Sequence, residues 1–149
     1  MIEKNLIFID EDMKSQDAVM DFLIEKLYAL NYINDKSEYK KELIERELQV
    51  PTSIGFSIAM PHGICSAVNK PFIAFLRTKE EFIWDDTVNE PVHMIFMIGV
   101  PKDNVDNMHL KFISLISRKL IKADYRKNLH ESNSVNETFD ILDEINQLM

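Results

Sequence analysis

The sequence predicts a layered α/β domain built on a central, largely buried sheet, with residues 1–149 forming one unit. Three observations point to this class. Short apolar runs of strand length recur at 6–9, 56–60, 71–78 and 92–100. Stretches with apolar residues at helical spacing lie before and after those runs. The run "VHMIFMIGV" (92–100) is apolar almost throughout, the pattern of a strand covered on both faces.

"LIFI" (Leu6 to Ile9), bounded by acidic residues, reads as the first strand. From about Ser15, Val19, Phe22, Leu23, Leu27 and Leu30 fall on one face of a helix that ends near Asn31. Ser37 is a candidate cap for a second helix, with Tyr39, Leu43 and Ile44 inward, running to about Leu48. Pro51 then turns the chain out of helix. "FSIAM" (56–60) and "PFIAFLRT" (71–78) read as strands before the apolar run at 92–100. In the last third, His109, Phe112, Ile113, Ile116 and Leu120 recur at helical spacing behind the polar lead-in "KDNVDN". "DYRKNLHES" reads as a short helix, and "SVNE" (134–137) as a capping box opening a final helix with Phe139, Leu142 and Ile145 inward.

Composition narrows the function. A hydrophobic fraction of 46% is that of a globular chain, and no apolar run approaches bilayer-spanning length. The N-terminus lacks the basic-then-apolar pattern of a secretory signal. The lone Cys65 excludes an internal disulfide and suits a reducing cytoplasm. A formal net charge of −8 with no basic stripe argues against nucleic-acid binding. The three glycines are too dispersed for a Walker or dinucleotide loop. There is no G-x-S-x-G elbow, and the histidines lack the close spacing of metal ligands, so neither a hydrolase nor a metal site is expected.

Attention falls on the four histidines. His93, inside an apolar strand, reads as a buried, hydrogen-bonded core residue, and His130, in a polar stretch, as a surface one. His62 differs. Pro61 fixes its own φ and biases Met60 toward extended geometry, while Gly63 permits a sharp turn directly afterwards. The imidazole is then either presented at a strand end, where α/β folds place their sites, or incidental to a turn. His109 lies on the apolar stripe of its helix but near the helix start, which suits either a core histidine or one facing an anion. Arg46, on a helix leading into the His62 strand, reads by default as a solvated charge.

Taken together, these residues resemble the enzyme IIA domain of the sugar phosphotransferase system, fructose/mannitol type. The resemblance rests on Arg46-Glu47, "PTSIG" (51–55) and "IAMPHG" (58–63), followed by Trp84-Asp85, Pro91-Val92 and "MIFMIGVP" (94–101). "HLKFISLISR" (109–118) and "SVNETFDIL" (134–142) continue it in order, so that it covers nearly the whole chain. Met60 stands where the family usually has Ile or Val, and Ser53 where many members have Gly.

The resemblance implies a single three-layer α/β/α domain with a mixed sheet, working as a phosphohistidine carrier. His62 would accept a phosphoryl group from the phosphocarrier protein HPr and pass it to a cysteine of a cognate IIB domain. The sugar, of the fructose, mannitol or galactitol class, is phosphorylated later at the membrane IIC–IIB complex. His109 matches the family's second site histidine and Arg46 its site arginine, and no cofactor or metal is expected. A regulatory IIA-like domain, of the kind found in transcription regulators and in a nitrogen-related branch, is the alternative. Met1 at the start, with no DNA-binding segment attached, favours a free-standing domain in the cytoplasm.

Overall fold

The computed structural model describes residues 1–103 and 106–149; Asn104 and Val105, within the polar lead-in "KDNVDN", lie outside the described residues. After a 3-10 turn at Lys4–Leu6 come β1 (Ile7–Glu11), α1 (Gln16–Ala29) and α2 (Lys36–Gln49). Short strands β2 (Ser53–Gly55), β3 (Ile58–Ala59) and β4 (His62–Cys65) lead to the long β5 (Phe72–Ile83) and β6 (Pro91–Pro101). Helices α3 (Met108–Leu120), α4 (Ala123–Glu131) and α5 (Val135–Asn146) complete the chain.

The strands form one mixed sheet in the order β1-β5-β6-β3-β2, with β4 also paired to β6. β5 and β6 run antiparallel, β1 lies parallel to β5, and β3 and β4 follow one another parallel to β6. Alternation along the central strands then divides the core in two. Ala74, Leu76, Ile95 and Met97 face Val19, Leu23, Leu27, Tyr39 and Leu43 of α1 and α2. Ile73, Phe75, Phe96 and Ile98 face Phe112, Leu115, Ile116, Leu129, Leu142 and Ile145 of α3 to α5. The result is the expected α/β/α sandwich, with β6 buried on both faces along nearly all its length.

Several local expectations are corrected. α2 is capped by Asp35, whose carboxylate accepts from the Glu38 N–H at 3.0 Å, rather than by Ser37. Its inward stripe is Tyr39, Leu43 and Glu47, while Ile44 is exposed. The strand read at 56–60 shrinks to Ile58–Ala59, because Phe56 and Ser57 both take left-handed φ values, +57° and +64°, in the reversal between β2 and β3. Two non-glycine residues there are uncommon. The Arg126 guanidinium lies 3.8 Å over the Phe56 ring, a favourable contact that holds the turn against α4. The capping box at α5 is looser than its pattern: Ser134 Oγ accepts from the Glu137 N–H, but the Glu137 carboxylate reaches Asn133 rather than Ser134.

His93 is buried as expected, but its partner is His130: Nε2 of one ring lies 2.6 Å from Nδ1 of the other, so one of the two nitrogens carries the shared proton. His130 is therefore an exposed residue with a fixed contact, tying α4 to β6.

Glycine is required in β6 by proximity. A Cβ at Gly99 would lie 2.2 Å from Cε2 of Phe72, a wholly buried ring packed edge-on against Tyr32 and Tyr39. Gly99→Ala is expected to lower stability by about 1–3 kcal/mol, the range for overpacking a filled core, read as a lower midpoint in urea unfolding.

Candidate functional site

The site begins at a break in a strand. β3 and β4 would be one continuous strand along β6, but Pro61 has no N–H to give. Just before this break the Met60 N–H faces the β2 side and donates to the Thr52 carbonyl at 2.9 Å, while the Pro61 carbonyl accepts from the Ile98 N–H of β6. The chain rejoins β6 at His62, opposite Ile98. His62 is half-buried at this edge, and its Nδ1 lies 2.9 Å from the Met60 carbonyl. A carbonyl only accepts, so Nδ1 carries the proton and Nε2 keeps its lone pair.

Gly63 acts differently from the turn residue expected. It lies within β4, and among the glycines only Gly55 has a positive φ. What it provides is closeness: a Cβ there would lie 3.1 Å from Cε1 of Tyr39. Tyr39 is itself anchored by its hydroxyl to the Ile98 carbonyl at 2.9 Å. α2 thus packs tightly on β4, and its last turn lies beside the imidazole. From that turn the Arg46 Nε–H donates to His62 Nε2 at 3.2 Å, and an Nη of the same guanidinium donates to the Val50 carbonyl at 2.6 Å. Arg46 is therefore not the solvated helix charge of the default reading.

His62, Arg46 and His109 line one open depression of about 630 Å³, with Glu42, Glu45 and Leu110 also on its wall. Arg46 comes from the helix layer on one face of the sheet, and His109, in the first turn of α3, from the layer on the other. Among the described residues lining the depression, Arg46 supplies the only permanent positive charge. Burial is the main cause holding the His62 imidazole below its ordinary pKa; Arg46 and His109 push the same way, against the Met60 hydrogen bond. Burial also lowers His109. Both rings are thus biased toward the neutral form near pH 7. Cys65, three residues on, is buried, and burial raises its thiol pKa, so it offers little thiolate.

Sequence reasoning missed the layer beneath. Glu47 is buried, and its carboxylate accepts from the Thr52 N–H at 3.0 Å, the Thr52 hydroxyl and the Trp84 indole N–H at 3.3 Å. A readable signal existed: Glu47 falls four residues after Leu43 and eight after Tyr39, a charged residue on the inward stripe of its helix. Ser53, in place of the glycine common at that position, lies in β2 without a positive φ, so serine meets no backbone penalty there. His93 and His130 take no part; Met94, beside His93, pairs with Ile58, at the far end of the β6 stretch from Ile98.

A three-layer α/β domain here gathers two imidazoles and one guanidinium in a single open depression, an arrangement able to support chemistry at a histidine nitrogen. The comparisons give the family. The profile described as "Phosphoenolpyruvate-dependent sugar phosphotransferase system, EIIA 2" matches residues 1–145, and the chain belongs to that family. It is 32% identical over 140 residues to the PTS system fructose-specific EIIA component of Haloferax volcanii, covering 94% of this chain and 90% of that one. It is 31% identical over 144 residues to the PTS system fructose-specific EIIABC component of Bacillus subtilis, covering 97% of this chain but only 22% of that longer protein. Among solved structures it is similar to the nitrogen regulatory protein IIA-Ntr of Neisseria meningitidis, with a TM-score of 0.85, 26% identity and 95% of each chain covered. It also shares the fold of the Escherichia coli IIA mannitol domain in a complex with phosphorylated enzyme IIB, with a TM-score of 0.80, 22% identity, and coverage of 97% of this chain and 99% of that one.

The site makes a clear pH prediction. In histidine-resolved NMR, His62 is expected to titrate below the ordinary 6.5, and Arg46→Gln to move it up while leaving it below that value, since burial is the larger cause. The unfolded chain takes this proton first, so the stability that His62 contributes is present above pH 6.5 and lost as the pH falls through its lowered pKa. A midpoint at or above 6.5 in the folded wild type would contradict this account.

Proposed function

We propose that this chain is a phosphohistidine carrier of the sugar phosphotransferase system: one IIA domain over residues 1–149 that takes a phosphoryl group from HPr on His62. It then hands the group to a cysteine of a cognate IIB domain. The observation that carries the reading is the pairing of a protonated Nδ1, held by Met60, with a lone-pair-bearing Nε2 beside Arg46.

In this reading Nε2 is the nucleophile. Its lone pair attacks phosphorus in line with the donor's leaving group, the old P–X bond breaks, and the new N–P bond leaves a ring that shares positive charge over both nitrogens. The Nδ1–H bond to the Met60 carbonyl strengthens as that charge appears. Arg46 moves off the Nε2 lone pair and onto the phosphoryl oxygens, where its forked donors meet the growing charge. His109, on the opposite wall, donates a further hydrogen bond. In the second half-reaction a thiolate attacks phosphorus and neutral imidazole departs, with Nδ1 still protonated. No step calls for a metal ion or cofactor, because the guanidinium supplies the positive charge.

The IIB partner is supported by the complex that the similar mannitol domain forms. The sugar class, fructose, mannitol or galactitol, takes its support from fructose-specific relatives. The membrane component IIC is reached only through IIB. Among the described residues no helix is long and apolar enough to cross a membrane, which accords with a carrier working in the cytoplasm. Exposed Ile54 and Leu110 form apolar parts of the depression wall, suited to the rim of a protein interface. A regulatory role, in which phosphorylation of His62 is itself the signal, draws support from the likeness to IIA-Ntr.

Incubation with phosphoenolpyruvate, enzyme I and HPr is expected to place one acid-labile phosphate on His62. His62→Ala should take none, and full uptake by that variant, read by mass spectrometry, would end the proposal. His109→Ala should still be phosphorylated but transfer on the order of a hundredfold more slowly, the usual effect of losing one donor to transition-state charge. A IIB domain should drain the label; retention against every cognate IIB domain would favour the regulatory reading.

A further inference from the structure

The carrier reading leaves the buried carboxylate of Glu47 unused. Glu47 sits one residue after Arg46 but about 100° further round the helix, facing the core, where a carboxylate needs donors to repay its lost hydration. It has three of them. The backbone N–H and hydroxyl of Thr52 and the indole N–H of Trp84 converge on its two oxygens. They come from two separate segments, the loop after α2 and the end of β5, so the carboxylate fixes the Thr52 peptide against two elements at once.

The Thr52 peptide is the next link. Its carbonyl accepts from the Met60 N–H at 2.9 Å, and the Met60 carbonyl accepts from His62 Nδ1 at 2.9 Å. Indole, carboxylate, Thr52, Met60 and imidazole are therefore linked residue to residue, by hydrogen bonds and through the backbone of Thr52 and of Met60. One end of this linkage is buried in the core and the other is the ring that reacts. Which nitrogen of a histidine carries the proton is set by the bond that the other atom of the ring environment makes. Here that bond goes to the carbonyl of Met60, the residue whose N–H is held by Thr52.

We infer that Glu47 is a positioning residue: through Thr52 and Met60 it aims the carbonyl that keeps the proton on Nδ1 of His62 and the lone pair on Nε2. This rests on the carrier reading for its consequence, since a ring with the proton on Nε2 has no lone pair to attack with. The tautomer itself is independent of that reading. Glu47→Leu replaces the carboxylate with an apolar side chain of similar size, so the Thr52 N–H and the Trp84 indole N–H both lose their acceptor. Thr52→Val keeps the branched shape and removes only the hydroxyl.

The test uses the full chain labelled with 15N and reads two quantities, the tautomer of the His62 ring by long-range 1H–15N correlation and the rate of phosphoryl uptake from HPr. Wild type is expected to show protonated Nδ1 and unprotonated Nε2. Glu47→Leu, and to a lesser degree Thr52→Val, are expected to show a mixture of tautomers and uptake slowed about 10- to 100-fold, the scale of losing an outer partner of a functional imidazole. Circular dichroism confirms folding; should Glu47→Leu fail to fold, Thr52→Val decides. A folded variant with the wild-type tautomer overturns the inference, whether its uptake is normal or slow, because slow uptake with an unmoved proton is a general structural effect. If wild type takes no phosphate at all, the carrier reading fails, while the tautomer comparison still decides the role of Glu47.

Discussion

The hydrogen bond from the His62 ring to the Met60 carbonyl is the contact on which the rest of the site depends. It is short-range in sequence, only two residues apart. The Met60 backbone faces away from β6, as alternation along the strand requires, so that its N–H meets Thr52, just before the neighbouring strand β2, and its carbonyl meets the imidazole. Proline at 61 removes one donor from the ladder with β6 between β3 and β4. With Nδ1 engaged, Nε2 is left as the nitrogen toward the depression and toward Arg46.

The electrostatics are arranged around that nitrogen. A chain with a net charge of −8 is a poor host for another anion, and Glu42 and Glu45 add to the difficulty locally. Two helix ends oppose them. Arg46 lies in the last turn of α2, where the negative end of the helix favours a cation and where the Val50 carbonyl holds the guanidinium in place. His109 lies in the first turn of α3, whose positive end faces the same depression and disfavours a proton on the ring. Burial, the main cause for both rings, biases His62 and His109 toward the neutral form. One wall supplies fixed positive charge, and the other a second imidazole.

These groups meet because the core is tight. Tyr39 is wholly buried, bonded to Ile98 and pressed against Gly63, so α2 cannot drift from β4 without breaking a packed contact. The glycine in "PHG" is thus needed for the approach of a helix rather than for a reversal of the chain.

The sequence by itself determined the class of fold and most of its elements, because those follow from periodicity. The apolar run at 92–100 became the central strand, the stripe from 109 to 120 became α3, and the colinear Arg46-Glu47 pair, "PTSIG", "AMPHG" and "HLKFISLISR" motifs singled out His62, Arg46 and His109. Short-range chemistry was less readable: the left-handed Phe56–Ser57 reversal holds residues that rarely adopt it, and its contact with Arg126 spans 70 residues of chain. Only the tertiary structure decided which nitrogen of His62 bears the proton, that Arg46 turns inward, and that Glu47, Thr52 and Trp84 share one buried set of hydrogen bonds. The physical reason is the directionality of hydrogen bonds. Hydrophobic burial is written in the spacing of residue types, whereas a donor and its acceptor are paired only when folding brings distant segments within about 3 Å of one another.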